Sequence, residues 1–182
     1  MSTLRNTVID HRVTAVDSIY PSLAEKIGSE SFRLRDIALA AIASTYPSGG
    51  SSKRSGAEHL LHDYLVLLGD LSWRDALERA LIRPSPRDSA LLALARELDF
   101  SPAEQLLIAL GAAVEDDPFV GRALAFSQAP IGGSRPTLGL VTQAFSAILD
   151  DAAMPGLACG NAARSGMIVV LQDHLPFPER SV

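Results

Sequence analysis

Two histidines and an aspartate occur close together in the segment HLLHD, as His59, His62 and Asp63. Residues three and four positions apart share one face of a helix, so this spacing could offer imidazole and carboxylate ligands to a metal ion. A metal site needs a third or fourth ligand, and nothing in the sequence brings His11 or His174 nearby. We therefore predict solvated histidines and no metal site.

The other reactive side chains lack the neighbours that catalysis requires. Cys159 lies between Ala158 and Gly160 without an identifiable histidine partner, a pattern that favours a small packed thiol over a nucleophile. The acidic residues at 115–117 and 150–151 occupy predicted helix ends, where carboxylates cap a helix or face solvent. The sequence therefore predicts no catalytic residue and a protein that is not an enzyme.

Residues 48–56, SGGSSKRSG, come nearest to a phosphate-binding loop. The pattern G-x-x-x-x-G-K-[ST] requires a glycine directly before the lysine and a preceding strand. Here Ser52 precedes Lys53, and the segment follows a predicted helix. We interpret it as a surface loop and predict no cofactor bound to this chain.

Composition and charge indicate a folded, acidic protein. Hydrophobic residues make up 47% of the 182 residues, which excludes disorder over most of the chain, and the longest apolar stretch, 106–114, is far shorter than the roughly 20 residues of a membrane span. Residues 1–83 carry ten basic and ten acidic side chains, whereas residues 84–182 carry six and eleven. We predict a soluble, cytoplasmic protein with no membrane partner and no specific nucleic-acid partner, because phosphate binding requires clustered positive charge.

Helical periodicity dominates the chain up to about residue 150. The prolines at 84 and 86 break a helix and extend the residues before them, which makes residues 83–86 the best boundary candidate. We predict an N-terminal helical region over residues 1–83 and a second domain over residues 84–182. In the first region, apolar residues recur at helical spacing near residues 8–19, 37–42, 60–68 and 73–81.

The second domain is predicted to be winged-helix-like. Residues 101–104 form a capping box, Asp117 precedes a second helix, and Thr137 caps a third, predicted over 137–149. Residues 167–171, MIVVL, are β-branched and are followed by a predicted turn and a return segment. The predicted fold class is therefore mainly α, with a small C-terminal β-hairpin.

Several motifs follow one another in a fixed order in residues 84–182. FSP at 100–102 opens one helix, EDDP at 115–118 with a following Gly-Arg forms an acidic turn, and RPT at 135–137 opens the next helix. This order resembles the region just before the ATPase module in bacterial AAA-type ATPases of phage-tail-like contractile injection systems. The last segment, GMIVVLQDHLPFPERSV, looks like the wing of that family.

The chain departs from the family pattern in two places. Residues 126–133, FSQAPIGG, replace an aromatic residue and an acidic pair, and no phosphate-loop motif occurs anywhere in the sequence. The resemblance thus implies either the excised N-terminal region of such an ATPase or a relative without the motor. ATP, Mg²⁺ and oligomerisation are implied only for the missing ATPase module.

The resemblance implies a non-catalytic interaction or regulatory domain that engages a substrate, a partner protein or the ATPase module. The alternative is a winged-helix DNA-binding regulator. In a winged-helix DNA-binding protein, the helix that contacts the bases carries polar and basic side chains. The helix predicted over 137–149 would hold that place, but it offers Gln143 alone and is followed by two aspartates. The protein-interaction hypothesis is therefore favoured.

The outer face of the same predicted helix is the candidate partner-binding surface. If its apolar stripe faces the core, then Gly139, Gln143, Ser146 and Ala147 lie outside and form a small, uncharged surface. Such a surface suits close packing against another protein. The alternative is that another part of this chain, such as its first four helices, covers it.

Overall fold

A computed structural model describes the chain over residues 31–46, 56–149, 153–171 and 175–182. This part is mainly α-helical, as predicted. The helix predicted near residues 8–19 and most of the loop predicted over 48–56 lie outside the described residues. The elements are α1 (Leu34–Ala43), α2 (Gly56–Leu68), α3 (Trp73–Ile82), a 3-10 turn (Pro86–Asp88), α4 (Ser89–Glu97), α5 (Pro102–Asp116), α6 (Pro118–Ser127), α7 (Leu138–Ala144), α8 (Ala153–Cys159), α9 (Asn161–Arg164) and a second 3-10 turn (Phe177–Glu179).

Helix α1 is buried on almost every side. Its sequence, LRDIALAAIA, is apolar except for Arg35 and Asp36, and eight of its ten residues are buried. A helix that is apolar all round is stable only inside a protein, and α1 packs against α2, α3, α5 and α7. Its alanines allow these neighbours to approach closely, because the distance between packed helices depends on the side chains at the contact.

The N-terminus of α1 is held by the segment between α3 and α4. The buried Asp88 carboxylate accepts a hydrogen bond of 2.8 Å from the N–H of Leu34, one of the helix donors that has no partner within the helix. Residues 31–182 form one compact unit, and the boundary predicted at residues 83–86 falls inside it. Helices before and after that boundary share one hydrophobic core.

Glu104 joins the N-termini of α5 and α9. The predicted capping box is confirmed: Ser101 N–H donates to Glu104 Oε2 at 2.7 Å, and Glu104 N–H donates to Ser101 Oγ at 3.3 Å. The second carboxylate oxygen, Oε1, accepts the N–H of Ala162 at 2.7 Å. Because Glu104 is only 4% exposed, these donors replace water for a buried carboxyl group that lies at the N-terminal ends of two helices.

The predicted β-hairpin is not confirmed. The described residues contain no strand, and the predicted strand 167–171 is joined to the return segment by the hydrogen bond from Leu171 N–H to Ser181 O, 2.9 Å long. Ser181 also forms an isolated antiparallel bridge with Thr137. The prolines at 176 and 178 cannot donate to a ladder and the second 3-10 turn occupies the return segment, so regular pairing does not develop. The predicted turn 172–174 lies outside the described residues.

We predict that Glu104→Ala destabilises the protein strongly. The change leaves the buried N–H of Ala162 and the N–H of Ser101 without their acceptor, and an unsatisfied buried donor costs about 1–3 kcal/mol. Urea denaturation should therefore show a free energy of unfolding lower by about 2 kcal/mol or more. Glu97→Ala, at an exposed position of α4, is the control and should stay within about 0.5 kcal/mol. Equal stability of the two variants would contradict the role of Glu104.

Candidate interaction surface

The loop before α7 is shaped by one buried glutamine. Gln128 Nε2 donates to the carbonyls of Gly133 and Arg135 at 2.7 and 2.9 Å, and its Oε1 accepts the N–H of Thr137 at 2.5 Å. The side chain of Gln128 thus satisfies two carbonyls and one N–H of the loop backbone, and it holds Thr137 at the start of α7. No pattern in the sequence indicates this role, because a glutamine in a loop is ordinarily solvated.

Helix α7 begins as predicted and ends early. Thr137 Oγ1 accepts the N–H of Leu140 at 3.3 Å, which confirms the cap. The predicted helix over 137–149 ends at Ala144, where bonds between residues three apart, such as Ile148 N–H to Phe145 O at 2.9 Å, replace the α-helical pattern. Phe145 itself is fully buried and its ring centroid lies 6.3 Å from that of Trp73 on α3.

Three of the four candidate residues lie on an open surface. Gln143, Ser146 and Ala147 are exposed, and they are uncharged. Gly139 is half-buried instead, because a Cβ at this position would lie 2.9 Å from the carbonyl oxygen of Pro178. The second 3-10 turn therefore covers Gly139, and we name the remaining three residues the α7 surface. Its role in partner binding stays a prediction.

An apolar groove lies between α5 and the extended segment 167–171. It has a volume of about 370 Å³. At its rim, Arg135 Nη2 lies 3.0 Å from Glu115 Oε1. The groove was not predicted, although exposure alternates along the segment: Met167, Val169 and Leu171 are exposed, whereas Ile168 is buried. The wall on the α5 side is formed by Leu107, Ile108, Gly111, Ala112 and Val114.

A more polar cleft of about 730 Å³ lies where α5 begins, beside α8 and α9. Its polar groups bond one another: Asn161 Nδ2 donates to the carbonyl of Asp99 at 2.6 Å, and Arg164 donates to Asn161 Oδ1. Cys159 lines this cleft and is exposed, so the prediction of a packed thiol is wrong. The error has a simple cause: Cys159 is the last residue of the short helix α8 and faces outward there.

Among the described residues, the carboxylate of Asp36 at the start of α1 has a shifted pKa. Burial raises the pKa of Asp36 above its ordinary value, although the guanidinium groups of Arg35 and Arg33 act in the opposite direction. Burial also raises the pKa of Tyr64, and the nearby Asp36 carboxylate adds to the effect. Arg35 Nε lies 3.3 Å from Asp36 Oδ1, so the two side chains form an ion pair at the start of α1.

The described residues give no support to a metal site at the two histidines of α2. They contain no group of three or more His, Cys, Asp or Glu side chains placed to hold a metal ion. His62 is half-buried on α2, and the side chain of His59 lies outside the described part. Asp150 and Asp151 lie outside it as well, and no helix within it is long and apolar enough to span a membrane.

No protein-family model, no curated protein and no solved structure matches this chain. The likeness to AAA-associated domains therefore rests on the ordered motifs alone.

We predict that Gly139→Ala destabilises the protein while Gly111→Ala does not. A Cβ at residue 139 would press on the Pro178 carbonyl, and such overpacking costs about 1–3 kcal/mol. A Cβ at residue 111 meets nothing within 4 Å, and alanine favours a helix interior by up to about 1 kcal/mol. Thermal and urea denaturation of both variants give the comparison. Equal stability of Gly139→Ala and the wild type would show that the 3-10 turn does not cover Gly139.

Proposed function

We propose that this chain is a non-catalytic interaction or regulatory module that engages a partner protein in the cytoplasm. The observation that carries the proposal is the apolar groove between α5 and the segment 167–171, where Met167, Val169 and Leu171 leave apolar surface in contact with water. Contiguous exposed apolar surface on a folded protein is typical of interaction sites. The uncharged α7 surface adds a second place for close packing.

The partner that the motif resemblance favours is an AAA-type ATPase of a contractile injection system. In this proposal residues 84–182 are a winged-helix-like part, with a reduced wing, of the compact unit 31–182. The pairing of the C-terminal residues supports that interpretation, because Ser181 bonds to Leu171 and lies opposite Thr137 at the start of α7. ATP and Mg²⁺ would belong to the ATPase and not to this chain.

The alternative, a winged-helix DNA-binding regulator, is less well supported by α7. The helix sequence LGLVTQA contains no charged side chain, and Gln143 is its one exposed residue with hydrogen-bonding capacity for a base edge. Of the basic side chains near its start, Arg135 is paired with Glu115. A protein partner therefore fits this surface better than a phosphate backbone.

We predict that Ser146→Arg weakens binding to the ATPase without destabilising the chain. The new side chain places bulk and charge on the α7 surface, while an exposed substitution usually changes stability by under about 0.5 kcal/mol. The measurement is the dissociation constant for a purified AAA ATPase of a contractile injection system from the same genome, with thermal unfolding in parallel. Ala93→Arg, at an exposed position of α4, is the matched control and should bind like the wild type. Failure of the wild type to bind the ATPase would refute this choice of partner.

DNA binding should be weak and without sequence preference. Fluorescence anisotropy with mixed-sequence duplex DNA at physiological salt should give a dissociation constant in the range of about 10⁻⁶–10⁻⁴ M or weaker, as for non-specific contacts. A sequence-selective complex with nanomolar affinity would favour the DNA-binding alternative instead.

A further inference from the structure

Helix α6 presents two phenylalanines to solvent on one face. Phe119 is 60% exposed and Phe126 is 65% exposed, although both are large apolar side chains. They lie seven residues apart, which is close to two helical turns, so they share a face. The opposite side of the helix is buried through Val120, Gly121, Ala123 and Leu124.

Arg122 lies between the two phenylalanines on the same face. Its guanidinium carbon is 5.9 Å from the centroid of the Phe119 ring, a cation–π distance. Within the described residues Arg122 forms no salt bridge. Phenylalanine and arginine are among the residue types that are enriched at protein interfaces.

A second copy of this chain is a poor occupant for this surface. Arg122 lies close to the midpoint between Phe119 and Phe126, so a two-fold antiparallel contact would set Phe119 of one copy against Phe126 of the other. The same contact would bring the two Arg122 side chains together. Like charges at the centre of an interface oppose association, whereas a carboxylate there would pair with Arg122.

We propose that Phe119, Arg122 and Phe126, the α6 surface, dock a different protein whose contacting segment is apolar and carries an acidic side chain opposite Arg122. This inference rests on the proposed function, to which it adds a docking surface on α6. The α6 surface is separate from the α7 surface, since α6 packs against α2 and α5, whereas α7 packs against α1, α8 and the second 3-10 turn.

The test uses a phage-displayed random peptide library selected on the full chain, so that it does not require a known partner. Selected peptides should contain Asp or Glu between apolar residues. Their affinity should fall about tenfold or more for the double variant Phe119→Ala/Phe126→Ala and for Arg122→Glu, the size of effect expected at a hot spot. Arg122→Lys should retain most of the binding, because it keeps the charge.

Two control variants match the test variants in chemistry. Ile82→Ala removes an exposed apolar side chain from α3, and Arg96→Glu reverses an exposed arginine on α4. Both should bind the selected peptides within about threefold of the wild type, which is under about 0.7 kcal/mol. Thermal unfolding should be unchanged in all variants, because every altered side chain is exposed.

The outcomes separate this inference from the proposed function. No enrichment, or peptides that bind the α6 variants as well as the wild type, would overturn the docking surface. Peptides that behave as expected, together with a wild-type chain that does not bind the ATPase, would support the surface and refute the ATPase as partner.

Discussion

Helix α1 puts an almost wholly apolar segment among α2, α3, α5 and α7, and each of these helices must therefore turn an apolar face towards it. Burial of apolar surface contributes about 25 cal/mol per Å², so the contacts around α1 are a main source of stability for residues 31–182. Elements that come from both sides of the proline-rich segment at 83–86 depend on the same helix. The packing of these helices around α1 also determines which of their faces are exposed to solvent.

Buried polar side chains fix the ends of the elements around that core. Asp88 holds the start of α1, Glu104 joins the starts of α5 and α9, and Gln128 closes the loop that leads into α7. In each case a side chain accepts a backbone N–H that would otherwise be buried without a partner. Glu104 binds the start of α9, which leads into the groove segment 167–171. Gln128 binds the loop that carries Arg135 at the rim of the groove and leads into α7. The local geometry of the candidate interaction surfaces therefore depends on both side chains.

Local sequence signals predicted the helical class, the capping box at 101–104 and the caps at Asp117 and Thr137, because each of these features involves residues within four positions of one another. The contacts of Asp88, Glu104 and Gln128 with distant backbone groups have no such local signal. Gly139 appeared open for a related reason, since the turn that covers it lies almost forty residues later. Phe119 and Phe126 have the apolar character of core residues, and their exposure emerges only because the other side of α6 packs inward.

The exposed surfaces of α6, α7 and the groove all rest on the core around α1, which we expect to open as one cooperative unit. Native-state hydrogen exchange on the full chain tests that claim most directly, because it measures the free energy of opening for each helix. If α1 holds the described residues together, the amides of α1 and α5 should exchange with the same free energy, equal to that of global unfolding. Exchange of α1, α2 and α3 at a clearly lower free energy than α5, α6 and α7 would contradict the account, since it would show that the chain separates at residues 83–86.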